Sequence, residues 1–203
     1  LSQYLMKLDL KQKTDKFLTN FKQMTFSKGE AIIRGDDEPN GVYFVESGFV
    51  KMSSINEDGR EIAINIFKPN SFFPMAWAIG NVKNTYFYRA ISLIKVYRVP
   101  KDDLVKFLLS NPEILLDLTS RVLIGMDALL YNTRSMLNAN STKKVAIVLK
   151  MLASRFGSLN SDNETEITIN MTHQDISHFA GIARETTSIA LLKLKENGYI
   201  RQT

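Results

Sequence analysis

The chain has 203 residues, 44% of them hydrophobic and 23% charged, with a net charge of +5, which is enough apolar mass to build one large core or two modest ones without staples. With 10 glycines and 5 prolines, long disorder, collagen-like repeats and low-complexity tails are excluded, and no apolar run reaches the roughly 18 residues that span a bilayer, so no membrane partner is expected. The absence of cysteine removes disulfides, thiol catalysis, iron–sulfur clusters and zinc ribbons.

The excess of positive charge divides almost evenly between residues 1–139 and 140–203. It permits a nucleic-acid partner without demanding one. The two histidines, His173 and His178, read as polar helix positions and not as metal ligands, so neither metal nor cofactor is expected. Leu1 is not an initiator Met and nothing beside it has the pattern of a signal peptide. A cytoplasmic protein lacking some N-terminal residues is the expectation.

In chain order, residues 1–20 suggest short helical pieces. From Phe26 to Pro100, β-branched and aromatic runs alternate with turn residues, and Gly29, Gly35, Gly41, Gly48 and Gly59 recur at short intervals. Val42–Val45, Phe49–Met52 and Ile62–Ile66 read as strands of a compact β sandwich or barrel. Lys101–Leu109 reads as a short helix, and Pro112 suits the first turn of a long one reaching Asn138. Along that helix Leu115, Val122, Leu129 and Met136 repeat every seven residues, with Leu116, Leu123, Leu130 and Leu137 beside them. The paired columns make a stripe too wide for one neighbour, so one edge is expected on the β domain and the other on a second copy of the helix. A monomer's buried helix is the alternative. Asn138–Thr142 is a hinge of cap formers, in which Asn140 or Ser141 caps a helix running from Val145 to Phe156. Ser158–Glu166 reads as a surface loop, and Ile167–Ile169 as a short strand.

Thr172, His173, Gln174 and Asp175 open a helix with a capping box. Ile176, Phe179 and Ala180 mark its apolar face, and Gly181-Ile182-Ala183 breaks it. A second helix runs from Arg184 to Asn197, turns Thr187, Ala190, Leu191 and Leu194 inward, and ends at Gly198. Two short helices on a glycine turn form either a helix-turn-helix or a purely structural pair. In the first case Arg184, Glu185, Thr186, Ser188 and Ile189 stand at the end that enters the major groove. Arg184 can fork onto guanine O6 and N7 and Glu185 can accept from cytosine N4, unless the two form a helix-start salt bridge.

Thr-His-Gln-Asp-Ile (172–176), Ala-Gly-Ile-Ala-Arg-Glu-Thr-Thr-Ser (180–188) and Leu-Lys-Glu-Asn-Gly-Tyr-Ile (194–200) resemble the DNA-binding domain of Crp/Fnr-family transcription regulators. Lys-Gly-Glu-Ala-Ile-Ile (28–33), Val-Tyr-Phe-Val-Glu-Ser-Gly-Phe-Val-Lys (42–51) and Asp-Gly-Arg-Glu (58–61) are similar to that family's cyclic-nucleotide-binding β-roll. The resemblance implies an α+β chain: a jelly-roll-like β-roll sensor (1–109), a dimerisation helix (110–138) and a winged helix-turn-helix (139–203). It also implies Thr172, His173 and Gln174 among the DNA contacts, and a wing following Ile200, so the C-terminus is expected to be truncated.

The departures are local. Members that bind cyclic AMP use a Gly-Glu-Leu loop and an Arg-Ser/Thr pair; here Pro74, Met75 and Ala76 stand at the first and Asn84-Thr85 at the second. Losing the arginine forfeits a charge-assisted contact of roughly 1.5–3 kcal/mol, so cyclic AMP is not the expected ligand. Phe73, Met75, Trp77, Asn84, Thr85 and Tyr86 either line a pocket for another small-molecule effector or belong to the core. Ile189 replaces a groove-facing arginine, and Leu192 a lysine.

The reading is a dimeric, sequence-specific regulator that binds a palindromic double-stranded DNA operator, acts with RNA polymerase and is not an enzyme. Its rival is an effector-binding β-roll whose helical tail contacts protein alone.

Overall fold

The first twenty residues form one helix, α1 (Ser2–Leu18), and not several short pieces, in the computed structural model, which describes residues 2–201 and side chains from Leu8 onward. No glycine or proline interrupts the segment, so its polar residues alter its faces without ending it. Leu10 and Leu18 are buried from it, and Phe17 stacks on Phe107 with ring centroids 3.9 Å apart.

Strands follow: β1 (Lys22–Phe26), β2 (Ala31–Ile33), β3 (Val42–Ser47), β4 (Val50–Ile55), β5 (Glu61–Phe67) and β6 (Phe72–Phe73). After the short helix α2 (Met75–Ala78) come β7 (Phe87–Ala90) and β8 (Ile94–Val99). They make two four-stranded sheets, ordered β1-β8-β3-β6 and β2-β7-β4-β5. Glycine is required at the β3–β4 turn: Gly48 has φ +81°, and a Cβ there would lie 2.3 Å from the Leu93 carbonyl oxygen.

Strand β3 shows why this sequence gives a covered sheet. Its first four residues, Val42 to Val45, are all buried, and successive side chains point to opposite faces. Tyr43 and Val45 join Ile33, Val50, Phe73, Tyr88, Ala90, Ile94 and Val96 between the sheets. Val42 and Phe44 join Leu10, Leu18, Phe72, Val99, Leu104, Leu108, Ile114 and Leu118 beneath the helices α1, α3 (Lys101–Ser110) and α4 (Pro112–Leu137). A strand apolar on both faces needs a sheet on one side and helices on the other.

The chain divides into two compact units, the second formed by the residues from Leu123 onward with Glu61–Ala63. Its core is built on α5 (Ser141–Phe156), whose Val145, Val148, Leu152 and Phe156 are buried at helical spacing. The Asn140 side chain caps it by accepting from the Lys143 N–H at 2.9 Å.

The polar stretch expected to be a loop is instead a hairpin, β9 (Gly157–Leu159) against β10 (Thr165–Ile167). Its turn is organised by Asn160, whose Oδ1 accepts from the N–H groups of Asp162 at 3.0 Å and Glu164 at 2.9 Å. The strand expected at 167–169 therefore lies two residues earlier. Helices α6 (His173–Ala180) and α7 (Arg184–Glu196) complete the unit, with Ile169, Ile176, Ala180, Ala190 and Leu194 buried among them. The wing expected after Ile200 would begin at the edge of the described residues, in which no strand follows α7.

Candidate nucleic-acid interface

Local chemistry sets the geometry of α6 and α7. The Thr172 hydroxyl accepts from the Asp175 N–H at 3.1 Å, and the Asp175 carboxylate accepts from the Thr172 N–H at 3.1 Å, completing the capping box. Thr172 also donates its hydroxyl proton to Asp175 at 2.7 Å, so its side chain is committed to the cap. Gly181 ends α6 in the left-handed conformation, φ +62°, with its N–H on the Ser177 carbonyl. Three residues later α7 begins, and Ala183 at its N-cap has no side chain to satisfy the first-turn N–H groups.

Those groups share their end of the helix with the residues expected to read DNA. Arg184 and Glu185 are both exposed, and no salt bridge joins them, so neither is withdrawn from solvent by the other. Ile189 is 57% exposed and Leu192 55%. Thr187 turns inward with its hydroxyl on the Ala183 carbonyl at 3.1 Å. Arg184, Glu185 and Ile189 form an exposed ridge, with a guanidinium and a carboxylate in the first turn and a branched apolar side chain one turn beyond Glu185. It offers a fork donor, an acceptor and an apolar contact, the three kinds of group that distinguish base edges in the major groove.

Besides Thr172, three expected contacts, His173, Gln174 and Ser188, are engaged within the protein. Gln174 Nε2 lies 3.3 Å from Ser177 Oγ and 2.6 Å from His178 Nε2. His173 Nδ1 is 2.8 Å from Ser188 Oγ, across the turn. Sequence reasoning did not find this tie, which bridges 15 residues and has no local signature. Thr186 is half-buried.

The residues expected at an effector pocket do not share one environment. Phe73 is fully buried, stacked on Tyr88 and Tyr43 with centroids 5.1 and 5.5 Å away. Burial in that cluster raises the phenol pKa of both tyrosines, although the nearby Arg98 opposes the shift at Tyr43. Asn84 is buried and donates to the Arg34 carbonyl at 3.2 Å and the Tyr86 carbonyl at 3.0 Å. Met75 and Trp77 pack against the helical core, with Trp77 Nε1 donating to Glu38 at 2.7 Å and Lys101 lying 5.0 Å over its ring. Thr85 is exposed and Tyr86 half-buried.

Helix α4 divides along its length more than around its edges. Ile114 and Leu118 are buried, and Leu115 packs with them, whereas every residue from Arg121 to Leu130 is exposed. Val122, Leu123, Ile124, Met126, Leu129, Leu130 and Tyr131 are 49–66% exposed, and Met136 is half-buried. A run of large apolar side chains this long on one solvent-facing helix marks an interaction surface.

Comparison with known proteins finds a family model on either side of α4. Residues 23–111 match the family model described as a cyclic nucleotide-binding domain, and residues 143–203 the one described as a Crp-like helix-turn-helix domain. The global nitrogen regulator of a Nostoc species is 28% identical over 203 residues, covering 92% of this chain and 89% of its own. The nitrogen fixation regulation protein FixK of Azorhizobium caulinodans is 28% identical over 175 residues, 86% of this chain and 69% of its own. The solved structure of the c-di-GMP responsive global regulator CLP of Xanthomonas campestris matches with a TM-score of 0.80 at 16% identity over 95% of both chains, a likeness of fold.

Proposed function

Because the chain belongs to the Crp/Fnr family of transcription regulators, we propose that it binds a palindromic operator as a homodimer, reading each half-site with the start of α7. The observation that carries this reading is the exposed ridge of Arg184, Glu185 and Ile189 on a helix whose opposite face is buried. Such a helix presents side chains to a groove while its partner helix steadies it. Phosphates would meet the uncapped first-turn N–H groups, where the helix dipole favours negative charge.

The homodimer reading rests on the exposed apolar face of α4. A second copy of the same face is its occupant, since a two-fold axis through paired helices also supplies the symmetry of a palindrome. Regulation then proceeds by contact with RNA polymerase at the promoter, in the cytoplasm.

Control by a small molecule other than cyclic AMP is supported by the β-roll. Pro74 and Met75 occupy the loop that would hold a ribose, and Asn84, where an arginine would meet the phosphate, spends its amide on two backbone carbonyls. The reading is tested by measuring affinity for a selected duplex as salt rises. A linear fall of log affinity with log salt, at about 0.9 per phosphate contacted, is expected from counterion release. Salt-insensitive binding, or none, favours a helical tail that contacts protein alone.

A further inference from the structure

We propose that His173 is a positioning residue of the DNA-reading helix, which holds Ser188 and so sets the roll of α7 against α6, and that Ser188 does not itself read bases. The proposal deepens the DNA-binding reading and rests on it.

Ser188 makes two contacts at once. Its Oγ lies 2.8 Å from His173 Nδ1 and donates to the Arg184 carbonyl at 3.1 Å. A serine hydroxyl carries one proton, so both bonds form together only when His173 donates its Nδ1–H. With its donor spent on its own helix and a lone pair on the imidazole, Ser188 has little left for a base edge. Both side chains are half-buried, at the margin where the packed faces of the two helices give way to the exposed ridge.

The position of each partner gives the bond its leverage. His173 is the first residue of α6, and its backbone is fixed by the capping box at Thr172 and Asp175. Ser188 lies one turn beyond Arg184 on the same face of α7 and adjoins Ile189. The other inward residues of α7, Ala190 and Leu194, are apolar, and Thr187 spends its hydroxyl within its own helix. Apolar packing is non-directional, whereas a hydrogen bond weakens steeply as its angle departs from linear. His173–Ser188 is therefore the directional tie that resists rolling. A roll of about 10° displaces groups at a helix's outer radius of 5–6 Å by about 1 Å, enough to spoil a two-pronged contact from Arg184.

The test is a double-mutant cycle on the full chain: wild type, His173→Ala, Ser188→Ala and both together. Each is measured against the selected operator and against that operator altered at the base pair read by Arg184, at two salt concentrations, with thermal melts beside each. Each single variant is expected to lose about fivefold to tenfold in operator affinity, the worth of one hydrogen bond, mostly as lost discrimination at that base pair. The double variant is expected to be no worse than either single one, with the salt slope unchanged. His173→Asn, whose amide can stand where Nδ1 stands, restores discrimination.

Losses that multiply in the double variant would overturn the proposal. So would a His173→Ala variant that weakens every duplex equally and lowers the salt slope by about one contact, the mark of a phosphate ligand. A new base preference in Ser188→Ala that His173→Ala does not share would make Ser188 a reader of bases. A wild-type protein that discriminates among no duplexes removes the DNA-binding reading itself, a failure the cycle separates from loss of coupling.

Discussion

Arg184 stands exposed at the first turn of α7, clear of Glu185, so its guanidinium is available to a guanine edge. Arg184→Ala is expected to cost about 1–3 kcal/mol of operator binding and to relax selectivity at one position of each half-site, as competition between duplexes would measure. Ile189, at 57% exposure, can offer only apolar contact, for which the thymine methyl is the counterpart. Selection with Ile189→Arg should exchange a thymine preference for guanine, and identical selections would show that Ile189 does not face the groove. Within the β sandwich, burial raises the pKa of Tyr88 above the ordinary phenol value of 10.0. A group whose folded pKa is raised adds stability that is complete below its unfolded pKa and is lost as pH climbs past it. Thermal melts should therefore fall as pH rises above about 10, and Tyr88→Phe should flatten that fall.

Among the elements, α4 carries the heaviest expectation. If α4 pairs with a second copy as proposed, Leu129→Glu buries an unpaired charge in that seam, costing several kcal/mol, so the variant should sediment as a monomer at micromolar concentration and the wild type as a dimer. Asn140→Ala removes the cap of α5 and should lower stability by about 1 kcal/mol. The elements that were legible in the sequence carry their own local signals. The span of α4 was readable from Pro112 and its seven-residue columns, and the turn between α6 and α7 from a capping box and a left-handed glycine. The β9–β10 hairpin was not, because its strands are short, largely exposed and held by Asn160 rather than by apolar alternation. Single residues followed the same logic. Arg184 and Ile189 lie on the exposed face that the inward positions Thr187, Ala190 and Leu194 require. The engagement of His173 with Ser188 depends on how two helices meet, which no spacing along one of them encodes. Phe73 read as core or, less readily, as pocket, because an aromatic in a strand looks alike in both until its neighbours are known; it packs in the aromatic cluster between the sheets.

For the whole molecule, the residues that match a cyclic nucleotide-binding domain and those that match a helix-turn-helix are separate in sequence, so on the proposed reading an effector acts by shifting a population of conformations that differ in DNA affinity. Cyclic AMP at millimolar concentration should leave operator affinity unchanged and give no saturable heat in calorimetry. A micromolar binding isotherm would show that groups other than those at Met75 and Asn84 cradle the nucleotide. The central claim, a symmetric dimer reading DNA through α7, is tested most directly by selecting bound duplexes from a random pool with the purified protein. The predicted product is a pair of inverted half-sites about one helical turn apart, roughly 34–36 Å between centres, with guanine where Arg184 reaches. A pool that remains random, or enriched sites with no two-fold symmetry, would contradict it.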